Sequence, residues 1–175
     1  MASKTSKMLS EEHENILKVV GALDKECDEL TNGQEADENF ILNVVDFIKN
    51  YADKFHHAKE EDILFKEFCK IAEKGAVHCN PVDQMLYEHD EGRKFVKGIR
   101  EGVKEKNKEK IIGNARGYIE LLKEHIFKED NILYPMADDV LDDGTQEQML
   151  EKFREIGEER VEDKEKYLGF VEGLR

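Results

Sequence analysis

Four stretches of the chain space their apolar residues by alternating threes and fours, and three of those stripes are interrupted by histidine. The first runs Leu9, His13, Ile16, Val20, Leu23, Cys27, Leu30, the spacing of one face of a helix packed in a bundle, with Ser10 as the expected cap. A polar turn with Gly33 separates it from a second helix, from about Glu38 into Ala72, which carries Ile41, Val45, Ile48 and Ala52 inward and ends at Gly75. After Asn80 and Pro81 a third stripe reads Val82, Met85, His89, Gly92, Val96, Ile99, Val103. A turn near Asn107 leads to a fourth: Ile111, Ala115, Tyr118, Leu122, His125, Glu129, Ile132, Met136, with Pro135 expected to bend or end it. Asp142, Asp143, Gly144 and Thr145 break the pattern before a last amphipathic helix bearing Met149, Phe153, Ile156, Val161, Leu168 and Val171.

Hydrophobic and charged residues each make up 39% of the 175, with two prolines, which suits one all-α domain with densely charged outer faces. The net charge of −14 would repel a phosphate backbone, so nucleic acid is not an expected partner. No apolar run reaches the roughly 20 residues that span a bilayer, and residues 1–7 lack the apolar stretch of a secretory signal. The odd, widely spaced set of Cys27, Cys69 and Cys79 argues against a disulfide framework and fits a cytoplasmic location, with Cys27 in the core.

A buried histidine costs free energy unless something satisfies it, so the interrupted stripes demand partners. Aligning the second and fourth helices on a shared Lys-Glu-acid-x-Ile-Leu string pairs His56 with His125 and Glu60 with Glu129, each an H-x-x-x-E spacing. Four residues are roughly 40° past a full turn and about 6 Å of rise, so ring and carboxylate leave the same helix face. Glu12-His13-Glu14 in the first helix likewise matches Glu88-His89-Asp90 in the third, and the chain reads as a duplicated helical hairpin. Packing the halves antiparallel brings four imidazoles and two carboxylates to the bundle axis, a set suited to two metal ions. Nitrogen and oxygen ligands without thiolate favour iron or manganese over a structural zinc–cysteine site.

The lone histidine, the H-x-x-x-E pair, the second lone histidine in Glu88-His89-Asp90-Glu91-Gly92-Arg93 and the final H-x-x-x-E resemble the hemerythrin-like HHE cation-binding family from Leu9 to about Met136. The resemblance implies an antiparallel up-down four-helix bundle over residues 9–140, preceded by a flexible N-terminus at 1–8 and followed by a C-terminal amphipathic helix at 145–175 packed on the same domain. It implies a non-haem di-iron centre, two iron ions with a bridging oxygen species, held by His13, His56, Glu60, His89, His125 and Glu129. Two features depart from the oxygen carriers: Arg93 stands one turn after His89, where they have a further histidine, and they use an aspartate at the position of Asp130. The implied ligands are oxygen, nitric oxide or peroxide, bound for sensing, storage or stress response. Reduction of peroxide or nitric oxide, or repair of iron centres, is the enzymatic alternative, and a zinc-stabilised interaction module is a third.

Some assignments stay open at this level. His57 with Glu61 is a rival H-x-x-x-E pair one residue along, and Asp130 rivals Glu129. Gly92 either leaves a void beside one metal or allows close helix packing, and Tyr118 either hydrogen-bonds a bound ligand or is core. His78 beside Cys79 carries no assigned role. The last helix can cover the bundle or pair two subunits as a homodimer.

Overall fold

The computed structural model describes residues 2–75 and 77–174; Met1 and Arg175, the outer ends of the expected first and last segments, lie outside them. Eight α-helices follow in order: α1 (Lys4–Thr31), α2 (Glu38–Phe47), α3 (Phe65–Ala72), α4 (Asn80–Glu105), α5 (Lys108–Lys128), α6 (Tyr134–Val140), α7 (Asp143–Glu159) and α8 (Val161–Glu172). Strands are absent among the described residues. π-helical turns join α2 to α3 over Ile48–His57 and Glu60–Leu64, and α5 to α6 over Glu129–Leu133, so each pair is one continuous rod.

Side chains that satisfy free backbone amides set the helix starts. Ser3, not Ser10, caps α1 by accepting from Ser6 N, and the helix begins five residues ahead of Leu9 with Thr5 and Ser6 buried. The Ser10 hydroxyl instead donates to Asp130 Oδ1 at 2.6 Å. Asp37, Asn107 and Asp142 cap α2, α5 and α7 in the same manner. The C-terminal segment is two helices, broken at Arg160; α7 buries Met149, Leu150 and Phe153, α8 buries Tyr167 and Val171, and Val161 at the break is half exposed. Lys166 and the Tyr167 hydroxyl both donate to Asp46, tying α8 to α2.

The π-helical turn after His125 corrects the fourth stripe. Its i→i+5 path inserts one residue into the α repeat, so the inward positions become Leu133, Tyr134 and Ala137, while Ile132 is 49% exposed. The cysteines also depart from expectation. The turn at Gly75 brings Cys69 and Cys79 to a Cα separation of 5.4 Å, within disulfide range, and they are bonded; Cys27 is free and buried.

Buried apolar residues form two groups. One lies along α1, α2, α4, α5 and α8; the other gathers Leu9, Phe65, Phe68, Met85, Leu133 and α7. Between them lies a layer of histidine and glutamate. The α4–α5 hairpin turns at Lys106, in the left-handed region at φ 53°, and packs closely because Gly102 has no side chain: a Cβ there would lie 2.9 Å from Ile111 Cγ1 and 3.0 Å from Ile111 N. Backbone cannot yield as a flexible side chain does. Gly102→Ala is therefore expected to destabilise by about 1–3 kcal/mol despite alanine's better helix propensity, read as a lowered melting temperature.

Candidate metal centre

Glu60 and Glu129 are fully buried and lie at the centre of the layer. His13 Nε2 is 3.3 Å from Glu129 Oε2, His125 Nε2 is 3.1 Å from Glu129 Oε1, and His89 Nε2 and His56 Nε2 are 3.5 and 3.7 Å from Glu60 Oε2. All six residues expected from the sequence are thus brought together. Asp130 is not among them; it sits behind the layer.

Each of these four rings is held from behind by a carboxylate on its Nδ1. Glu12 meets His56 at 3.0 Å and Glu88 meets His125 at 2.9 Å, while Asp130 meets His13 at 3.0 Å and Glu61 meets His89 at 2.7 Å. The scheme repeats across the two halves: the acid before each lone histidine holds the paired histidine, and the acid after each inward glutamate holds the lone histidine of the other half. Lys59 and Lys128, each three residues after the paired histidine, donate to Glu12 and Glu88. An Nδ1–H donated outward leaves Nε2 as the free lone pair, the tautomer a metal ligand needs.

The two halves differ at one position. His57 is buried, where the alignment places Ile126, and its ring stacks on His89 with centroids 3.7 Å apart. Ligand atoms of His13, His56, Glu60 and Glu129 all lie within 4.8 Å of one another, as do those of His57, Glu60, His89 and His125. The rival pair is therefore split: His57 joins a cluster, and Glu61 supports His89 from outside. A third grouping, Asp53, His57 and Glu61, already has its cation, because Arg93 donates to Asp53 and Glu61 at 2.7 Å each. Arg93, where the oxygen carriers have histidine, straps α4 to the α2–α3 rod.

Sequence reasoning also passed over Tyr134. Its hydroxyl donates to Glu60 Oε1 at 2.5 Å and its ring stacks on His13; Phe65, its counterpart in the first half, stacks on His89. The signal was present as the position five after each inward glutamate, but an α-helical periodicity places it off the core face. Gly92 lines an open space, since an added Cβ would make only ordinary contacts, 3.5 Å to the Tyr118 ring and 3.9 Å to Leu121 Cδ2; close packing does not require it.

The model of the hemerythrin HHE cation binding domain matches residues 4–137. The chain belongs to that family. Comparisons with curated proteins and with solved structures gave no match. The hemerythrin match covers both hairpins and both clusters, and the donor set suits a cation on the structure's own terms. His56 Nε2, Glu60 Oε2 and both Glu129 carboxylate oxygens are buried with no hydrogen-bond partner, a costly arrangement that a cation between them would satisfy.

Without a cation, protons in this hemerythrin domain partition unevenly. Burial disfavours charge on His13 and His125, but the carboxylates around them prevail: Asp130 and Glu129 push His13 up to about 10, and Glu129 with Glu88 push His125 up to about 10. Burial and neighbouring imidazoles hold His56 well below the ordinary value and His57 at about 3. Burial and the charge of Glu129 raise Glu60 well above the usual carboxylate range, whereas His125 and His13 hold Glu129 low against its own burial. A metal must displace the protons on His13 and His125, so affinity should rise with pH between 6 and 9, roughly tenfold per unit for each proton displaced. Chelator competition across that range measures it, and a flat profile would contradict the assignment. Removing the carboxylate behind one ring, as Glu88→Gln, should weaken metal binding about 10–100-fold at unchanged helical content by circular dichroism.

Proposed function

We propose that this chain is a non-haem di-iron protein that binds oxygen or nitric oxide, with its rods in the antiparallel up-down order of hemerythrins. The observation that carries the reading is the pair of buried clusters sharing Glu60. His13 and His56 with Glu60 and Glu129 would hold one iron; His57, His89 and His125 with Glu60 would hold the second, and Glu129, 3.1 Å from His125, also reaches it. An all nitrogen-and-oxygen donor set favours iron over a thiolate-type structural metal. Bound there, the reduced pair supplies the electrons with which oxygen or nitric oxide is taken up.

The surrounding residues have separable tasks. Tyr134 fixes the orientation of Glu60 through its hydrogen bond, and the four rear carboxylates fix ring tautomers. The apolar groups on either side of the layer exclude water and strengthen every charge interaction within it. Arg93 in place of a fifth histidine would leave an additional open metal position, which suits turnover on peroxide or nitric oxide; His57 stands close enough to fill it, which favours reversible binding.

The test is metal content by mass spectrometry together with the visible spectrum of dithionite-reduced protein before and after oxygen. About two irons per chain and an oxygen-dependent band support the reading, whereas zinc, or a colourless protein, would refute it. His57→Ala is expected to lower the content to about one iron per chain, with His78→Ala in the loop keeping both. Sustained consumption of excess peroxide or nitric oxide by the iron-loaded protein would favour the enzymatic reading instead.

A further inference from the structure

A cavity of about 240 Å³ runs between the α2–α3 rod, α4 and α5. Its inner end is formed by the buried rings of His57, His89 and His125, and its outer end by the exposed chains of Lys49, Lys97 and Arg100. A water takes roughly 30 Å³ and a dry cavity of about 150 Å³ already accepts benzene, so this space exceeds what a diatomic ligand needs. Its walls, which include Val45, Ile48, Val96 and Leu122, are apolar.

Two features of the lining point to an occupant. The Tyr118 hydroxyl is buried on the cavity wall with no hydrogen-bond partner, so a donor is left unmatched in an otherwise apolar space. At the mouth, Lys49 and Arg100 form no ion pair among the described residues, and Lys97 only approaches Glu101 at 4.0 Å. Asp46, whose charge Lys49 feels, is already held by Lys166 and Tyr167. The carboxylates that also line the space are spoken for: Asp53 by Arg93, and Glu88 by His125 and Lys128. In a chain of net charge −14, unpaired cations at the rim of one apolar cavity are a local reversal of sign.

We propose that this cavity binds a small organic acid with an apolar body, its carboxylate at Lys49, Lys97 and Arg100 and an acceptor oxygen on its body taking the Tyr118 hydrogen bond. So placed, the acid fills the space between solvent and the His57, His89 and His125 rings, and its presence governs what reaches them.

Isothermal titration of the metal-loaded protein with three matched probes tests this: 4-acetylbenzoate, 4-isopropylbenzoate, which lacks the acceptor, and 4-acetylbenzamide, which lacks the charge. The acetyl acid is expected to bind saturably, and each of the others about tenfold or more weaker. Lys49→Glu combined with Arg100→Glu, on the exposed rim, should weaken the acid and leave the amide unchanged; Tyr118→Phe should erase the preference for the acetyl acid over the isopropyl acid. Absence of saturable binding, indifference to charge, or an acetyl preference that survives Tyr118→Phe would each overturn the proposal. Calorimetry reads the cavity directly, so the result stands apart from whether the clusters hold iron.

Discussion

The constraint on which the rest of this structure depends is a layer of imidazoles and carboxylates buried across the middle of a helical core. Left alone, such groups would cost several kcal/mol each to desolvate. Part of that cost is offset because each of the four expected imidazole ligands is held at Nδ1 by a carboxylate on a neighbouring helix, while the Nε2 side faces Glu60 and Glu129 and leaves several polar atoms unsatisfied until a cation is present. The rear carboxylates are anchored in turn. Lys59, 1% exposed, pairs with Glu12, and removing one partner of such a buried pair costs about 3–5 kcal/mol. The layer therefore also acts as the register mark of the fold, since sliding any helix by a turn would break contacts with two others.

The way those contacts cross the molecule explains why the duplicated hairpin must close on itself. Glu12 and Glu88 act within their own halves, but Asp130 and Glu61 reach into the opposite half. Neither hairpin completes its histidine supports alone. The π-helical turns fall where this demand is greatest. A regular α-helix would direct His57 away from His56 and Glu60; the wider turns of the α2–α3 rod leave all three buried.

Periodicity made the helices, the duplication and the six inward residues legible, because each signal lies within a few residues of sequence and repeats. Part of what it missed shares one cause. Ile132 points out and Leu133 and Tyr134 point in because a single π-helical turn shifts the phase, and a pattern reading that assumes 3.6 residues per turn carries the old phase forward. The same assumption set His57 aside as a rival to His56, when the structure buries both. Ser10 was read as a cap from its position before an apolar stripe; its actual partner, Asp130, is 120 residues away. The Cys69–Cys79 bond depends on how tightly the chain turns at Gly75, which spacing alone does not state.

The family assignment leaves two clusters of unequal character, and the inequality argues for unequal tasks. Around His13 and His56 the wall carries Tyr134, whose hydroxyl is committed to Glu60, and neither ring lines the cavity that borders the other cluster. Around His57, His89 and His125 the corresponding position is Phe65, which offers no hydrogen bond, and the cavity leads out to solvent past Gly92 and Tyr118. The second cluster thus borders open space, while the first has Tyr134 hydrogen-bonded against it. Charge does not divide the two: each cluster pairs a ring pushed up to about 10, His13 or His125, with one held low, His56 or His57. The two halves of one duplicated scaffold thus differ, with His57 opposite Ile126 and Phe65 opposite Tyr134, so that one cluster is backed by a committed tyrosine and the other borders a cavity.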